Sequence, residues 1–283
     1  MDKCIVCGNS DFKLIYKNTL QKCNNCGFIT ANINISDEEL KLFYGEKYFN
    51  GDEYSNYIDD KETIQKNFNS RLKQIDKITK RQNFHHVLEI GCAYGFFGQL
   101  IKNRYPSASY VGYDIAKEAV EYGKSVLKVN VLNENYLESD FSSNPYSHVF
   151  MWDVIEHLSS PDEFIEKISK ESVAGSFLFI TTGDISSFVP RMKGASWRMI
   201  HPPTHLHYFS KKTLSKMLEK YGYEVQSIKY PPVSRSVKQI FYSLFLLQKK
   251  ESKWKTYIYQ KIPSSLYLKL NTYDIMFLIA RKK

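Results

Sequence analysis

The stretch Val87-Leu88-Glu89-Ile90-Gly91-Cys92-Ala93-Tyr94-Gly95-Phe96-Phe97-Gly98 restricts this chain more than any other. Val87 to Ile90 reads as a short buried strand and Gly91, Ala93 and Gly95 as a tight turn, while Phe96 to Arg104 has the apolar spacing of a helix. Small side chains let a ligand approach the backbone, and the first N–H groups of a helix have no partner within it. Together these parts form a cradle for a nucleoside cofactor. The dinucleotide fingerprint wants Gly at the first, third and sixth positions of the turn. Those positions are Gly91, Ala93 and Phe96 here, and Phe96 would crowd the helix–strand contact that the last Gly keeps close. The acid, Glu89, lies before the first Gly instead. Tyr110-Val111-Gly112-Tyr113-Asp114 then reads as a second strand ending in a carboxylate, which can accept both hydroxyls of a ribose.

This arrangement resembles motif I of the class I S-adenosylmethionine (SAM)-dependent methyltransferases, E-x-G-x-G-x-G, with Ala93 in place of the middle Gly. The resemblance implies an α/β fold: a doubly wound, Rossmann-like sheet of seven strands whose antiparallel seventh strand lies beside the sixth. It implies SAM held by Glu89, Gly91, Cys92, Ala93, Gly95, Asp114 and Ile115. Asn135-Tyr136 stand where the family places an acid that meets the adenine amino group, and an Asn amide oxygen can accept that bond. Met151-Trp152-Asp153-Val154-Ile155-Glu156-His157-Leu158 resembles the family's D-V-x-E-H-L segment. In the family its start, here Trp152 and Asp153, lies near the methionine part of SAM. For Glu156 and His157, helix capping and a catalytic role are both open.

Alternating patterns predict strands near 86–90, 109–113, 128–132, 147–152, 175–181, 223–230 and 272–281, with helices near 95–104, 117–126, 161–170 and 211–221. We expect a methyltransferase core over residues 85–230, completed by a last strand within 271–283. Ahead of it, Cys4-x-x-Cys7-Gly8 and Cys23-x-x-Cys26-Gly27 are 15 residues apart. Four thiolates suit a closed, tetrahedral, structural zinc site, so residues 1–35 are expected to be a zinc knuckle held together by the metal. Residues 36–84 read as a helical connector, with a helix start at Ser36-Asp37-Glu38-Glu39, an aromatic cluster (Tyr44, Tyr48, Phe49, Tyr54, Tyr57) and a helix over 64–78. Residues 231–270 follow Pro231-Pro232 and read as an inserted pair of helices, Val237 to Leu247 and one around Trp254 to Ile262. This piece suits packing or a lid, with peripheral membrane contact or a homodimer contact as alternatives.

The net charge of +9 admits an acidic partner or a solvated lysine-rich surface. No signal sequence or membrane-spanning run is evident, and paired cysteines fit a reducing cytoplasm. The [D/N]-P-P-[Y/F] motif with which base-amine methyltransferases hold a flipped base is missing, which speaks against base-amine methylation of DNA or RNA and leaves other RNA chemistry open, with nucleic acid the less expected partner.

The acceptor side is expected in the loop after the fifth strand, Arg191 to Ser210. His201, His205 and His207 fall within seven positions, but no acid cluster adjoins them in sequence, so a second metal is set aside there. His205-Leu206-His207-Tyr208-Phe209-Ser210 resembles the H-L-x-Y-F-S stretch of bacterial sugar and polysaccharide-pathway methyltransferases. The fuller resemblance is to nucleotide-sugar C-methyltransferases, which pair a four-Cys zinc segment with this fold. Their stretch H-E-H-L-x-Y-Y-S aligns its acid/base His with His205, and its Glu with Thr204. The resemblance implies an enzyme methylating a sugar, nucleotide-sugar or related small molecule at O or C, with His205 as base and His157 and His207 as the other candidates. An imidazole suits that task because it titrates near neutrality. Arg191, Lys193 and Arg198 are candidate phosphate contacts. RNA modification and a non-catalytic SAM-binding scaffold are the alternative functions.

Overall fold

The computed structural model describes residues 3–33, 35, 39–40, 57–79, 84–140, 143–246, 253–263 and 266–283. The expected helix start at Ser36–Glu38 and the aromatics Tyr44, Tyr48, Phe49 and Tyr54 lie outside these residues.

A seven-stranded sheet organises the chain. Its strands are β4 (His86–Ile90), β5 (Ser109–Asp114), β6 (Val131–Asn133), β7 (Tyr146–Trp152), β8 (Ser172–Gly183), β10 (Tyr223–Lys229) and β13 (Ile275–Lys282). The order is β10-β13-β8-β7-β4-β5-β6. The five strands from β6 to β8 are parallel, while β13 runs antiparallel between β8 and β10, with Leu278 opposite both Ile180 and Ile228. This is the Rossmann-like methyltransferase sheet that motif I implies.

Parallel strands covered on both faces become continuous apolar runs, and successive side chains serve opposite faces. In β4, Val87 enters one core and Leu88 the other; in β7, Phe150 and Val149 divide in the same way. One face is covered by α1 (Lys61–Thr79), α2 (Phe96–Arg104) and α3 (Lys117–Ser125), through Leu72, Ile75, Phe97, Ile101 and Val120. The other is covered by α4 (Pro161–Glu171) and α6 (Lys211–Lys220), through Phe164, Ile165, Ile168, Leu214 and Leu218. Pro161 starts α4 with Asp162 and Glu163 in its first turn, and a Ser210–Thr213 capping box starts α6.

The third parallel strand is shorter than the expected 128–132 and starts at Val131, because Lys128 adopts a left-handed φ of 54° just before it. Sequence reading missed a second, four-stranded sheet. Here β1 (Phe12–Ile15), β2 (Leu20–Cys23) and β3 (Ile29–Ala31) are joined by β9 (His207–Tyr208) from the acceptor loop, with Ile29 opposite Tyr208 and Thr30 opposite His207. Cys4, Cys23, Cys26 and Phe28 pack in the same core as Phe209 and Leu214, so the cysteine segment and the acceptor loop share one interior.

The 231–270 segment contains the two expected helices, α7 (Val237–Phe245) and α8 (Lys253–Lys261), flanked by an unexpected hairpin of β11 (Val233–Ser236) and β12 (Tyr267–Leu270). Asn67 of α1 anchors the hairpin by bonding both the N–H and the C=O of Ser234, at 2.7 and 2.9 Å. Among the described residues no helix is long and apolar enough to cross a membrane.

Candidate active site

The cofactor loop follows β4. Gly91 has φ 70° and its N–H bonds the Tyr113 carbonyl at 2.8 Å. A Cβ there would stand 2.3 Å from Val154 Cγ2, so the first glycine is required twice over. Ala93 also has positive φ, 45°, in the place where the motif has glycine. Gly95 precedes α2 at φ 73° with no side-chain cap, so the first-turn amides face the loop.

Asp114, at the end of β5, is engaged with this loop. One carboxylate oxygen accepts from Ala93 N–H at 2.7 Å and the other from Ala116 N–H at 2.8 Å. Burial raises its pKa, and the amides of Ala116, Ala93 and Ile115 oppose the rise. Each oxygen retains a second lone pair for a ribose hydroxyl. Glu89 is buried below the loop and accepts from the Tyr110 hydroxyl; burial raises its pKa well above the carboxylate range. Cys92 is buried beside it. Both side chains therefore support the loop from beneath rather than face a ligand.

A cavity of about 470 Å³ opens beyond Asp114, lined by Ile115, Asn133, Glu134, Asn135, Glu138 and Ser139. Ile115 is exposed on its edge, an apolar ledge suited to a flat base. Asn135 caps the turn of Tyr136–Glu138, accepting from Leu137 N–H at 3.1 Å. The expected role of Tyr136 is corrected. It is 1% exposed, packs on Tyr113 and Phe164, and donates its hydroxyl to Glu171 at 2.9 Å. Asn133, Glu134 and Glu138 went unnoticed, and their only signal was adjacency to Asn135.

The side-chain role of Trp152 is also corrected: its ring lies in the core against Phe68, Phe97, Phe150 and Phe277. Asp153 does turn outward, at φ 54°, with its N–H held by the Thr181 carbonyl and hydroxyl. Arg71 from α1, which sequence reading passed over, lies over Trp152 with its guanidinium 4.0 Å from the Asp153 carboxylate. Tyr57 of the aromatic cluster stacks on Tyr94 and Phe96 of the cofactor loop.

The acceptor loop meets this strand end through one carbonyl. Glu156 C=O accepts from both Leu206 N–H (2.8 Å) and His207 N–H (3.1 Å), which draws His205 onto the Glu156-His157 turn. The His157 and His205 ring centroids are 4.5 Å apart, and those of His201 and His205 are 3.9 Å apart. His157 Nδ1 contacts the Thr204 carbonyl at 2.7 Å and His205 Nδ1 contacts the Met199 carbonyl at 2.8 Å. A carbonyl accepts only, so both Nδ1 atoms carry the proton and both Nε2 atoms carry a lone pair. Burial lowers the pKa of His157 to about 4 and that of His205 to about 2, and neighbouring imidazoles add to the effect. Glu156 is raised to about 8 by burial, then by Asp153.

The third histidine candidate is placed differently. His207 stacks on Phe28, its Nδ1 is 3.1 Å from the Thr30 hydroxyl and its Nε2 is 3.4 Å from the Ser159 carbonyl. Both nitrogens are occupied in the seam between the two sheets, which corrects its expected role as a base. Arg198 is corrected as a phosphate contact, because it pairs with the fully buried Asp274, which also accepts from Trp197 Nε1 at 2.8 Å. Arg191 and Lys193 remain exposed on the short helix α5 (Phe188–Lys193).

The four N-terminal cysteines are unbridged and their sulfurs all lie within 4.8 Å of one another. Cys4 to Cys26 is 3.5 Å and Cys7 to Cys23 is 3.6 Å. Sulfurs bound to zinc at about 2.3 Å in a tetrahedron lie about 3.8 Å apart, so the quartet fits that ion.

A seven-stranded sheet in this order, with a glycine loop and a ribose-type carboxylate at its strand ends, defines a Rossmann-like methyltransferase. The sequence model of the methyltransferase domain family matches residues 61–228, and the chain belongs to that family. Among curated relatives, the mitochondrial ubiquinone biosynthesis O-methyltransferase of Dictyostelium discoideum is 28% identical over 174 residues, covering 53% of this chain and 54% of that protein. A malonyl-[acyl-carrier protein] O-methyltransferase of Anoxybacillus flavithermus is 28% identical over 142 residues, covering 44% and 54%. The chain thus spans about half the length of these relatives. The magnesium protoporphyrin IX methyltransferase of Synechocystis, solved with bound S-adenosylhomocysteine, superposes with TM-score 0.56 at 13% identity, covering 88% of this chain and all of that one. A SAM-dependent methyltransferase of Archaeoglobus fulgidus superposes with TM-score 0.51 at 21% identity, covering 85% and 98%. Both structures share the fold.

Proposed function

We propose that this methyltransferase acts on a hydroxyl or carbon of a sugar, nucleotide-sugar or related small molecule of a bacterial glycan or natural-product pathway, in the cytoplasm. The observation that carries the reading is the Glu156–His157–His205 cluster on the turn after β7, whose Val154 lies against Gly91 of the donor loop. It is a polar, proton-handling group set in an otherwise apolar interior. The two relatives named as O-methyltransferases, of ubiquinone biosynthesis and of malonyl-[acyl-carrier protein], favour O-methylation; the sugar reading rests on the His205–Ser210 resemblance. Exposed Arg191 and Lys193 are the remaining contacts for a phosphate.

Residues of the loop 91–95, Asp114, Ile115 and Asn135 would hold the donor, and Cys4, Cys7, Cys23 and Cys26 a structural zinc ion. Bound SAM supplies a methyl group already activated by a sulfonium. The chain's own work is to align the acceptor and to receive its proton. His205 Nε2 is the receiving atom in this reading. Burial keeps His205 neutral, and with its Nδ1–H held by the Met199 carbonyl its Nε2 lone pair is the one turned to an acceptor hydroxyl.

The test uses labelled SAM, a panel of nucleotide-sugars and mass spectrometry. Asp114→Ala should weaken S-adenosylhomocysteine binding about a hundredfold, since it removes a buried charged acceptor. His205→Ala should keep that binding and lower turnover by about a hundredfold or more. Undiminished turnover in His205→Ala would remove the proposed role of this residue.

A further inference from the structure

The cluster just described has the composition of a metal site that sequence spacing does not reveal. One carboxylate oxygen of Glu156 and one nitrogen each of His157 and His205 lie within 4.8 Å of one another. The acid missing from the neighbourhood of the three loop histidines comes from a turn nearly fifty residues earlier, drawn in by the Glu156 carbonyl.

Three observations agree. Glu156 is 2% exposed, and neither carboxylate oxygen makes a well-formed hydrogen bond among the described residues, with the Thr182 side chain near enough to favour its ionised form. A buried carboxylate so weakly partnered is costly, and a bound cation would remove that cost. Both imidazoles have their Nδ1–H tied to a backbone carbonyl, which is how metal-binding histidines are commonly oriented, with Nε2 as ligand. Asp153, on the same turn, adds negative charge beside Glu156. Ligand atoms bound at about 2.1 Å to one tetrahedral or octahedral ion lie about 3.0–3.4 Å apart, so the three groups would draw together by at most about 1–2 Å on binding.

We propose that Glu156, His157 and His205 form a second metal site, distinct from the cysteine quartet, which binds a divalent first-row transition cation with open positions toward the acceptor. Two imidazoles and one carboxylate are a ligand set for zinc, manganese, iron or cobalt in catalytic, incompletely filled sites. The inference rests on the acceptor-site reading above and changes the role of His205 there. With the cation present, His205 is a ligand, and the acceptor hydroxyl becomes acidic by coordination. The bound cation would lower the pKa of that hydroxyl, and its proton would pass to water. A hydroxyl acceptor, and so O-methylation, follows from this site, with a neighbouring oxygen on the same molecule able to fill a further position.

The full chain, purified with its cysteine-bound metal in place, would be titrated with cobalt(II) chloride without oxygen. We expect one further equivalent per chain, with weak d–d bands and no thiolate-to-cobalt charge transfer. Glu156→Gln and His205→Ala should each weaken that equivalent by about tenfold or more. X-ray absorption on the wild-type protein should show imidazole and oxygen scatterers, a readout that needs no variant to fold. No further equivalent, or one insensitive to both substitutions, overturns the site. Calorimetry with S-adenosylhomocysteine on the same samples separates the two readings. Intact binding with no second cobalt defeats only the metal site, whereas lost binding in the wild type defeats the methyl-transfer reading.

Discussion

Replacing Gly91 with alanine tests the cofactor loop most directly. At φ 70° an L residue carries a backbone cost of about 1–2 kcal/mol. The new Cβ would also stand 2.3 Å from Val154 Cγ2 and 3.0 Å from Cγ1, both inside contact distance, and overpacking of this kind costs about 1–3 kcal/mol. The sum is about 3 kcal/mol, which for a chain of this size lowers the melting temperature by roughly 6–10 °C. Val154 sits on the turn that leads to Glu156, so the damage spans the donor and acceptor sides. A double-mutant cycle isolates the clash. Val154→Ala alone should cost about 1 kcal/mol, and Gly91→Ala with Val154→Ala should be less harmful than the two separately by about 1 kcal/mol or more. Thermal unfolding with and without S-adenosylhomocysteine is the assay. A Gly91→Ala protein within about 0.5 kcal/mol of wild type, or strict additivity in the cycle, refutes the steric account. Ala93 shows that the loop accepts backbone cost alone, since it holds φ 45° with a side chain present.

Two further outcomes follow from other parts of the chain. His148 is 2% exposed, stacks on Phe84 at 4.0 Å, and burial lowers its pKa to about 3. Its folded pKa lies below the unfolded value near 6.5, so the unfolded chain binds the proton first and stability falls as pH drops from 6.5 toward 3. Between pH 6.5 and 4.5 this histidine alone accounts for about 2 kcal/mol, and His148→Phe should flatten that part of an acid-unfolding curve measured by circular dichroism. Chelation of the cysteine-bound metal should speed amide hydrogen exchange in residues 12–31 and also in 206–208, because β3 and β9 share a sheet. Exchange changing only in the N-terminal residues would refute the coupling of the two segments.

What the sequence made legible was local. Gly91, Gly95 and Asp114 act within one strand–turn–helix unit and its neighbour, so their spacing carries their geometry. The apolar runs of β4, β7 and β8 likewise announce strands buried on two faces. Tyr136 and Trp152 misled because an aromatic residue beside a binding segment can turn inward as readily as outward, and only packing on Phe164 or Phe97 decides. The acceptor site was illegible for a different reason. Its three ligating groups are joined by tertiary hydrogen bonds from Glu156 to Leu206 and His207, a separation across which no periodicity runs. The pairing of Thr30 with His207, which removes that histidine from the chemistry, is more distant still.

The position of β13 governs when this protein can become complete. Ile275–Lys282 lies between two strands made earlier, and Asp274 at its start secures Trp197 and Arg198 of the acceptor loop. While a ribosome is still making residues before 275, β8 and β10 cannot be joined, and Trp197 and Arg198 lack their carboxylate partner. The nascent chain can assemble its donor half early, but the acceptor wall has to wait for the closing strand to slot in.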